Sequence, residues 1–216
     1  MKKRPKTVIN NYNRFAGHSV ERIAALSDGI FAVAMTLLVL ELRVPTLGVI
    51  HSEQELWSAL ITLSPSMVTY LMSFLTLGIF WVGQQTQLNY FTASNRTLTW
   101  IQLGFLLAMG VMPFSTALLG GFITYRLALV VYWLNILLGG LFLLISWQYA
   151  VRAKLLKEAA TEAVQAAIRR RIVIAQLLYA FGALLCVFNT YVSIAVIVLV
   201  QLNYVFAPRI RWLYQH

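Results

Sequence analysis

Arg22-Ile-Ala-Ala-Leu-Ser27-Asp28-Gly-Ile-Phe-Ala-Val33-Ala-Met-Thr36-Leu37-Leu-Val-Leu40-Glu41 is the stretch whose reading decides the fold. Between Asp28 and Glu41 no residue carries a charge, and Thr36 alone brings a hydroxyl. A helix that is apolar on nearly every side needs lipid as its solvent. At 1.5 Å per residue the two acids stand about 20 Å apart along the axis, one near each end of a hydrocarbon layer. Val33, Thr36, Leu37 and Leu40 recur at i, i+3, i+4 and i+7, so they share a face. Ala25, Gly29 and Ala32 lie on or beside it. Small residues there allow helices to approach closely or leave a wide vestibule.

The rest of the chain agrees with a membrane reading. Its 216 residues are 60% hydrophobic and 11% charged, with mean hydropathy +0.74. We expect six spans, at about 22–43, 56–83, 98–119, 123–150, 170–188 and 191–207. Pro45 and Pro208 stop the first and sixth, Ser64-Pro65 kinks the second or marks where its inserted part begins, and Pro113 interrupts the third. The expected layout is a basic cytoplasmic segment 1–21, a transmembrane domain 22–207 with internal loop 151–169, and a cytoplasmic tail 208–216. The Ala-rich stretch from Glu158 to Ile168 extends the fourth or fifth helix into the cytoplasm. No cleavable signal peptide and no internal repeat are expected.

Orientation follows from the basic residues. With both termini inside, 15 of the 17 Lys and Arg residues are cytoplasmic, leaving only Arg43 and Arg126 outside. That asymmetry fits an even number of spans. The net charge of +10 therefore reports topology, and nucleic acid is not an expected partner. Cys186 is the single cysteine and cannot form an intrachain disulfide. The three histidines lack metal-ligand spacing, and neither a hydrolase, a zinc-peptidase nor a phosphate-loop motif is present. No enzyme activity and no cofactor are expected.

Ionisable residues within the spans cluster in the first: Arg22, Asp28 and Glu41. Buried membrane charges usually mark function or pair with each other. Asp28 pairs with Arg22 or Arg96, or joins a bracing network with Gln84 and Gln85 at the end of the second span. Glu41 is solvated near the headgroups or forms an outer mouth. The stripe Val33–Thr36–Leu37–Leu40 faces lipid, packs inside the subunit, or lines a path shared by several copies. Trp81, Trp100, Trp147 and Trp212 suit an inner interface belt, and Trp57 an outer one. Asn135, Gln148, Gln176 and Asn203 are expected in interhelical hydrogen bonds. A passive channel, a carrier coupled to protons through Asp28, and a non-transporting scaffold all remain possible from the residues.

Arg22-Ile-Ala-Ala-Leu26-Ser27-Asp28-Gly29, followed by Thr36 and Leu37 to Leu40, resembles the signature of the transmembrane protein 175 family of potassium channels in its short prokaryotic form. Phe80-Trp81 and Pro113-Phe114-Ser115-Thr116 extend the resemblance. It implies a homotetramer in the plasma membrane whose first helices line a central pore for potassium ions. It places aliphatic constrictions at Val33, Leu37 and Leu40 and a selectivity layer at Thr36. Arg22, Ser27, Asp28, Trp81, Gln84 and Gln85 become the network that braces the pore helix, and Glu41 the outer mouth. On this reading Asp28→Asn damages assembly. Four positions depart from the pattern: Leu26 replaces a phenylalanine, Gln84-Gln85 stands where histidines are expected, and Val33 is smaller than the usual constriction residue.

Overall fold

A computed structural model describes residues 19–42 and 50–206. Pro45, Pro208, Arg43, Trp212 and most of the two terminal segments lie outside these residues. The described chain is helical: α1 (Val20–Leu37, continued by a 3-10 turn Leu38–Glu41), α2 (Glu53–Thr62), α3 (Ser64–Tyr90), α4 (Arg96–Gly110), α5 (Met112–Gly121), α6 (Arg126–Arg152), α7 (Glu162–Leu184, continued by a 3-10 turn Leu185–Val187) and α8 (Thr190–Phe206). Five stretches are long and apolar enough to cross a membrane: 20–41, 64–90, 96–121, 126–152 and 162–187. The chain is thus an all-helical integral membrane protein. α8 is a shorter apolar helix of 17 residues.

Local chemistry sets the helix starts. Ser19, Asn95 and Thr161 cap α1, α4 and α7, each side-chain oxygen accepting the backbone N–H three residues on. That satisfies a donor the helix itself leaves free. Two boundaries move from the expected span limits, each along a line the sequence had offered. The expected second span is divided at Leu63, just before Pro65, into α2 and α3. The Ala-rich stretch belongs to α7, which begins at Glu162 rather than near residue 170. Pro113 sits in the first turn of α5, where its missing N–H costs least, so α4 and α5 continue as one span.

The helices pack around α3 and α6. α4, α5 and α7 pack on α6, while α1, α5 and α8 pack on α3. α3 is inside-out by the standards of a soluble helix. Thr69, Ser73, Thr76, Phe80, Gln84 and Gln87 are all buried; at 100° per residue they fall within an arc of about 80°. Lipid solvates the apolar side, so the polar side turns inward, where hydrogen bonds are available. One half of this seam binds helices other than α1. Thr116 Oγ1 donates to Ser73 Oγ at 2.7 Å, Tyr132 Oη lies 3.0 Å from Thr76 Oγ1, and Gln201 Nε2 donates to Thr76 Oγ1 at 2.7 Å. These contacts tie α3 to α5, α6 and α8.

Close approach of α6 to α3 and α4 depends on Gly139. A Cβ there would stand 2.5 Å from Met109 Cε and 3.1 Å from Phe80 Cζ. Gly139→Val is expected to cost about 1–3 kcal/mol, the usual penalty of overpacking. A lowered thermal midpoint in detergent would show it. At the basic end a second cluster gathers Ile23, Leu88, Phe91, Leu98 and Trp147. Trp147 corrects an expectation: it is not in an interface belt but 1% exposed, stacked on Phe91 at 6.1 Å. Its indole N–H reaches the Gln165 carbonyl of α7.

Candidate functional site

α1 divides lengthwise into two faces. Ile23, Ser27, Phe31, Ala34 and Leu38 are buried against the rest of the chain. The opposite face is open: Val33 is 57% exposed, Leu37 43% and Leu40 69%, and Thr36 lies between them, also exposed. All four residues of the periodic stripe therefore project away from their own subunit. Thr36 Oγ1 donates within its helix, at 2.9 Å from the carbonyls of Ala32 and Val33. Its proton is thus committed to the backbone, and the oxygen of this exposed side chain is left to accept a hydrogen bond or touch a cation. A groove of about 430 Å³ runs along this face, lined in part by Leu26, Gly29, Val33, Leu37 and Gly110.

Two sets of bonds hold the helix from behind and from the side. Asp28 Oδ1 accepts from Trp81 Nε1 at 2.8 Å and from Gln85 Nε2 at 2.9 Å. The indole and amide come from consecutive turns of α3, which is why residues 81 and 85 reach one carboxylate. Behind α1, the Ser27 hydroxyl donates to Gln84 Oε1. Gln84 Nε2 donates to Gln102 Oε1 at 2.8 Å, and Gln102 Nε2 donates to Ser146 Oγ at 2.7 Å. This chain crosses from α1 through α3 and α4 to α6, and all four side chains are buried. Each amide uses its oxygen on one side and its nitrogen on the other, so every link of the chain pairs a donor with an acceptor.

The structure thus brings Ser27, Asp28, Trp81, Gln84 and Gln85 together. Neither Arg22 nor Arg96 meets Asp28 through the hydrogen bonds of the described residues; the Arg22 side chain is exposed, and its backbone N–H serves the cap on Ser19. Glu41 ends the 3-10 turn in a half-buried position. Gln102 and Ser146 are partners that the sequence reading missed. The available signal was a lone amide in the apolar run Trp100 to Ala108. Asn135 does make an interhelical contact, donating to Ser115 Oγ at 3.3 Å. Among the described residues no group of three His, Cys, Asp or Glu side chains is placed to hold a metal ion.

Both bonds to Asp28 fall on one oxygen. An asparagine carbonyl can accept both, so Asp28→Asn is a weaker structural test than it looked from sequence. Asp28→Leu removes the acceptor and leaves two donors of α3 without it. We expect Asp28→Leu to lower the thermal midpoint clearly and Asp28→Asn to retain most of it. Equal losses in the two variants would show that the charge, not the hydrogen-bond acceptor, seats the helix.

Comparison with known proteins places the chain. A family model described as the endosomal/lysosomal potassium channel TMEM175 matches residues 22–113, a segment that holds α1, α3, α4 and the Ser27–Gln84–Gln102 contacts. A crystal structure described as a lysosomal potassium-selective channel TMEM175 homolog from Chamaesiphon minutus superposes with a TM-score of 0.77. It is 26% identical and covers 88% of this chain and 98% of that one. This chain belongs to the TMEM175 family. Within that family it is 36% identical over 102 residues to "Potassium channel B446_29190" of Streptomyces collinus, covering 47% of this chain and 48% of that protein. It is 33% identical over 141 residues to "Potassium channel Cha6605_3372" of Chamaesiphon minutus, covering 61% and 66%. The chain thus matches about half to two thirds of the length of these TMEM175 relatives. A relative from Danio rerio, described as the endosomal/lysosomal proton channel TMEM175, is 30% identical over 45% of this chain and 20% of its own length.

Proposed function

We propose that this protein is a potassium-permeable cation channel in which four copies surround a pore lined by α1. The observation that carries the reading is the division of α1 into a face bonded to its own subunit and an open face bearing Val33, Thr36, Leu37 and Leu40. A helix facing only lipid has no need of a threonine layer between aliphatic rings or of a carboxylate clamp at its flank. Copies related by closed rotational symmetry would turn these faces toward a common axis. Val33, Leu37 and Leu40 then form the narrow apolar rings, and Thr36 a ring of hydroxyl oxygens between them. Arg22 stands at the inner entrance with the bracing network of Ser27, Asp28, Trp81, Gln84 and Gln85, and Glu41 forms the outer mouth. α8 serves as a sixth span, and both termini are cytoplasmic in a prokaryotic plasma membrane.

An apolar ring offers an ion no replacement for its water shell, so a dry ring blocks and a slightly wider one passes partly hydrated ions. Potassium holds its water less tightly than sodium and is favoured. The threonine oxygens replace part of the lost water and sharpen that preference. Names of the potassium-channel relatives support the ion, and the names of vertebrate relatives make protons a second candidate. Purified protein in liposomes separates the readings. Unitary current steps with a reversal potential following the potassium gradient support the channel. A saturable flux without steps would establish a carrier, and a current following the proton gradient would replace potassium with protons.

A further inference from the structure

α2 stands apart from the other described helices. None of its residues is buried, and all but Ala59 are exposed. Its side chains are nevertheless segregated. At 100° per residue Leu56, Leu60, Trp57 and Ile61 fall within an arc of about 140°, with Ser58, Thr62 and Glu55 opposite. Trp57 is 66% exposed and Ile61 56%. A stripe of this kind on a ten-residue helix needs a cover that this chain's core does not supply.

Its place in the fold indicates the cover. Gly120, at the end of α5, packs beside Ser66 and Thr69 of α3. Thr190, at the start of α8, reaches the Thr124 carbonyl between α5 and α6. The 3-10 turn that ends α1 packs on α3 and α5. The helix ends of this side of the bundle therefore gather at the first turns of α3, and α2 precedes that level. For helices of membrane-spanning length, that level is an end of the spans. Pro65 has no N–H to give the Ile61 carbonyl, so the junction between α2 and α3 is weakened.

We propose that α2 is an interfacial helix: it rests on the lipid headgroups with Leu56, Trp57, Leu60 and Ile61 turned to the acyl chains, and anchors the outer end of α3. The bilayer around α3 lies only one turn away, so the stripe continues a surface the protein already shares with lipid. An amphipathic helix with an aromatic anchor suits that boundary. Glu55 lies on the polar side; Glu53 falls within the apolar arc but stands at the first position of the helix, beside the Ser52 cap, where it can leave the stripe for water. The proposal does not depend on the pore reading.

Spin labels test it on the whole chain in liposomes. In a Cys186→Ser background, single cysteines at positions 57, 58, 61 and 62 carry the label. Collisions with oxygen report lipid, and collisions with a neutral nickel chelate report water. We expect 57 and 61 to favour oxygen several-fold more than 58 and 62. Equal nickel access at all four positions would overturn the proposal, since α2 would stand free in water. So would protection of 57 and 61 from both reagents, because a protein surface, such as a second copy, would then cover the stripe. Labels at 58 and 62 touch only the exposed polar face, so they remain readable if a substitution at 57 or 61 disturbs the helix.

Discussion

Leu40→Ala is expected to raise the unitary potassium current, and Leu37→Ala to do so as well. Each removes a branched side chain from a face that is free of its own subunit. Neither substitution leaves a cavity in the subunit core, so assembly should survive. In the proposed tetramer four truncated side chains would widen one ring at once, and the barrier to a partly hydrated ion depends steeply on that width. Thr36→Ala is expected to do something different. Its hydroxyl proton is engaged with the Ala32 and Val33 carbonyls, so what the pore loses is an oxygen acceptor. Conduction persists, and the preference for potassium over sodium falls. Reversal potentials in mixed potassium and sodium gradients, read beside unitary conductance, separate the effects. If none of the three variants moves either quantity, ions do not pass this face of α1.

Gln84→Leu is expected to be among the most damaging single changes to the seat of α1. The side chain keeps roughly its size, so the effect isolates hydrogen bonding. The Ser27 hydroxyl loses its acceptor, and Gln102 Oε1 loses its donor, both in buried positions. A buried polar group left unpaired costs about 1–3 kcal/mol, and within a bilayer no water of the hydrocarbon layer offsets it. Part of that cost is regained in a membrane protein because partners are found in the less structured state as well. The thermal midpoint in detergent should fall. The double variant Gln84→Leu with Gln102→Leu should fall by less than the sum of the single losses, because the second change removes a group already unpaired. Additive losses would show that the two amides act independently and that no relay links α1 to α4.

Much of the fold was legible because lipid imposes a crude rule. A long apolar run must be a helix, and the runs expected at about 56–83, 123–150 and 170–188 read as helices on that ground alone. Two features were legible only as alternatives, because length and hydropathy are blind to a local break. Pro65 divides the expected second span into α2 and α3. The Ala-rich stretch has good helix propensity but little hydropathy, so the sequence left open whether it extends the fourth or the fifth helix, and the structure assigns it to α7. Trp147 looked like an interface residue because tryptophan favours that position on average. Stacking on Phe91 and a bond to α7 placed it in the core instead.

For the site, the sequence alone established that Val33, Thr36, Leu37 and Leu40 share a face and that Asp28 and Glu41 bracket an uncharged helix. Both follow from helix geometry, which links residues a few positions apart. Only the tertiary structure decided that this face is turned away from the subunit, that Trp81 and Gln85 hold Asp28, and that Gln102 and Ser146 complete the relay from Ser27. Those partners lie 18 to 57 positions apart in the chain. Periodicity names the residues on one face of a helix, but which neighbour meets that face is set by the packing of all the helices together.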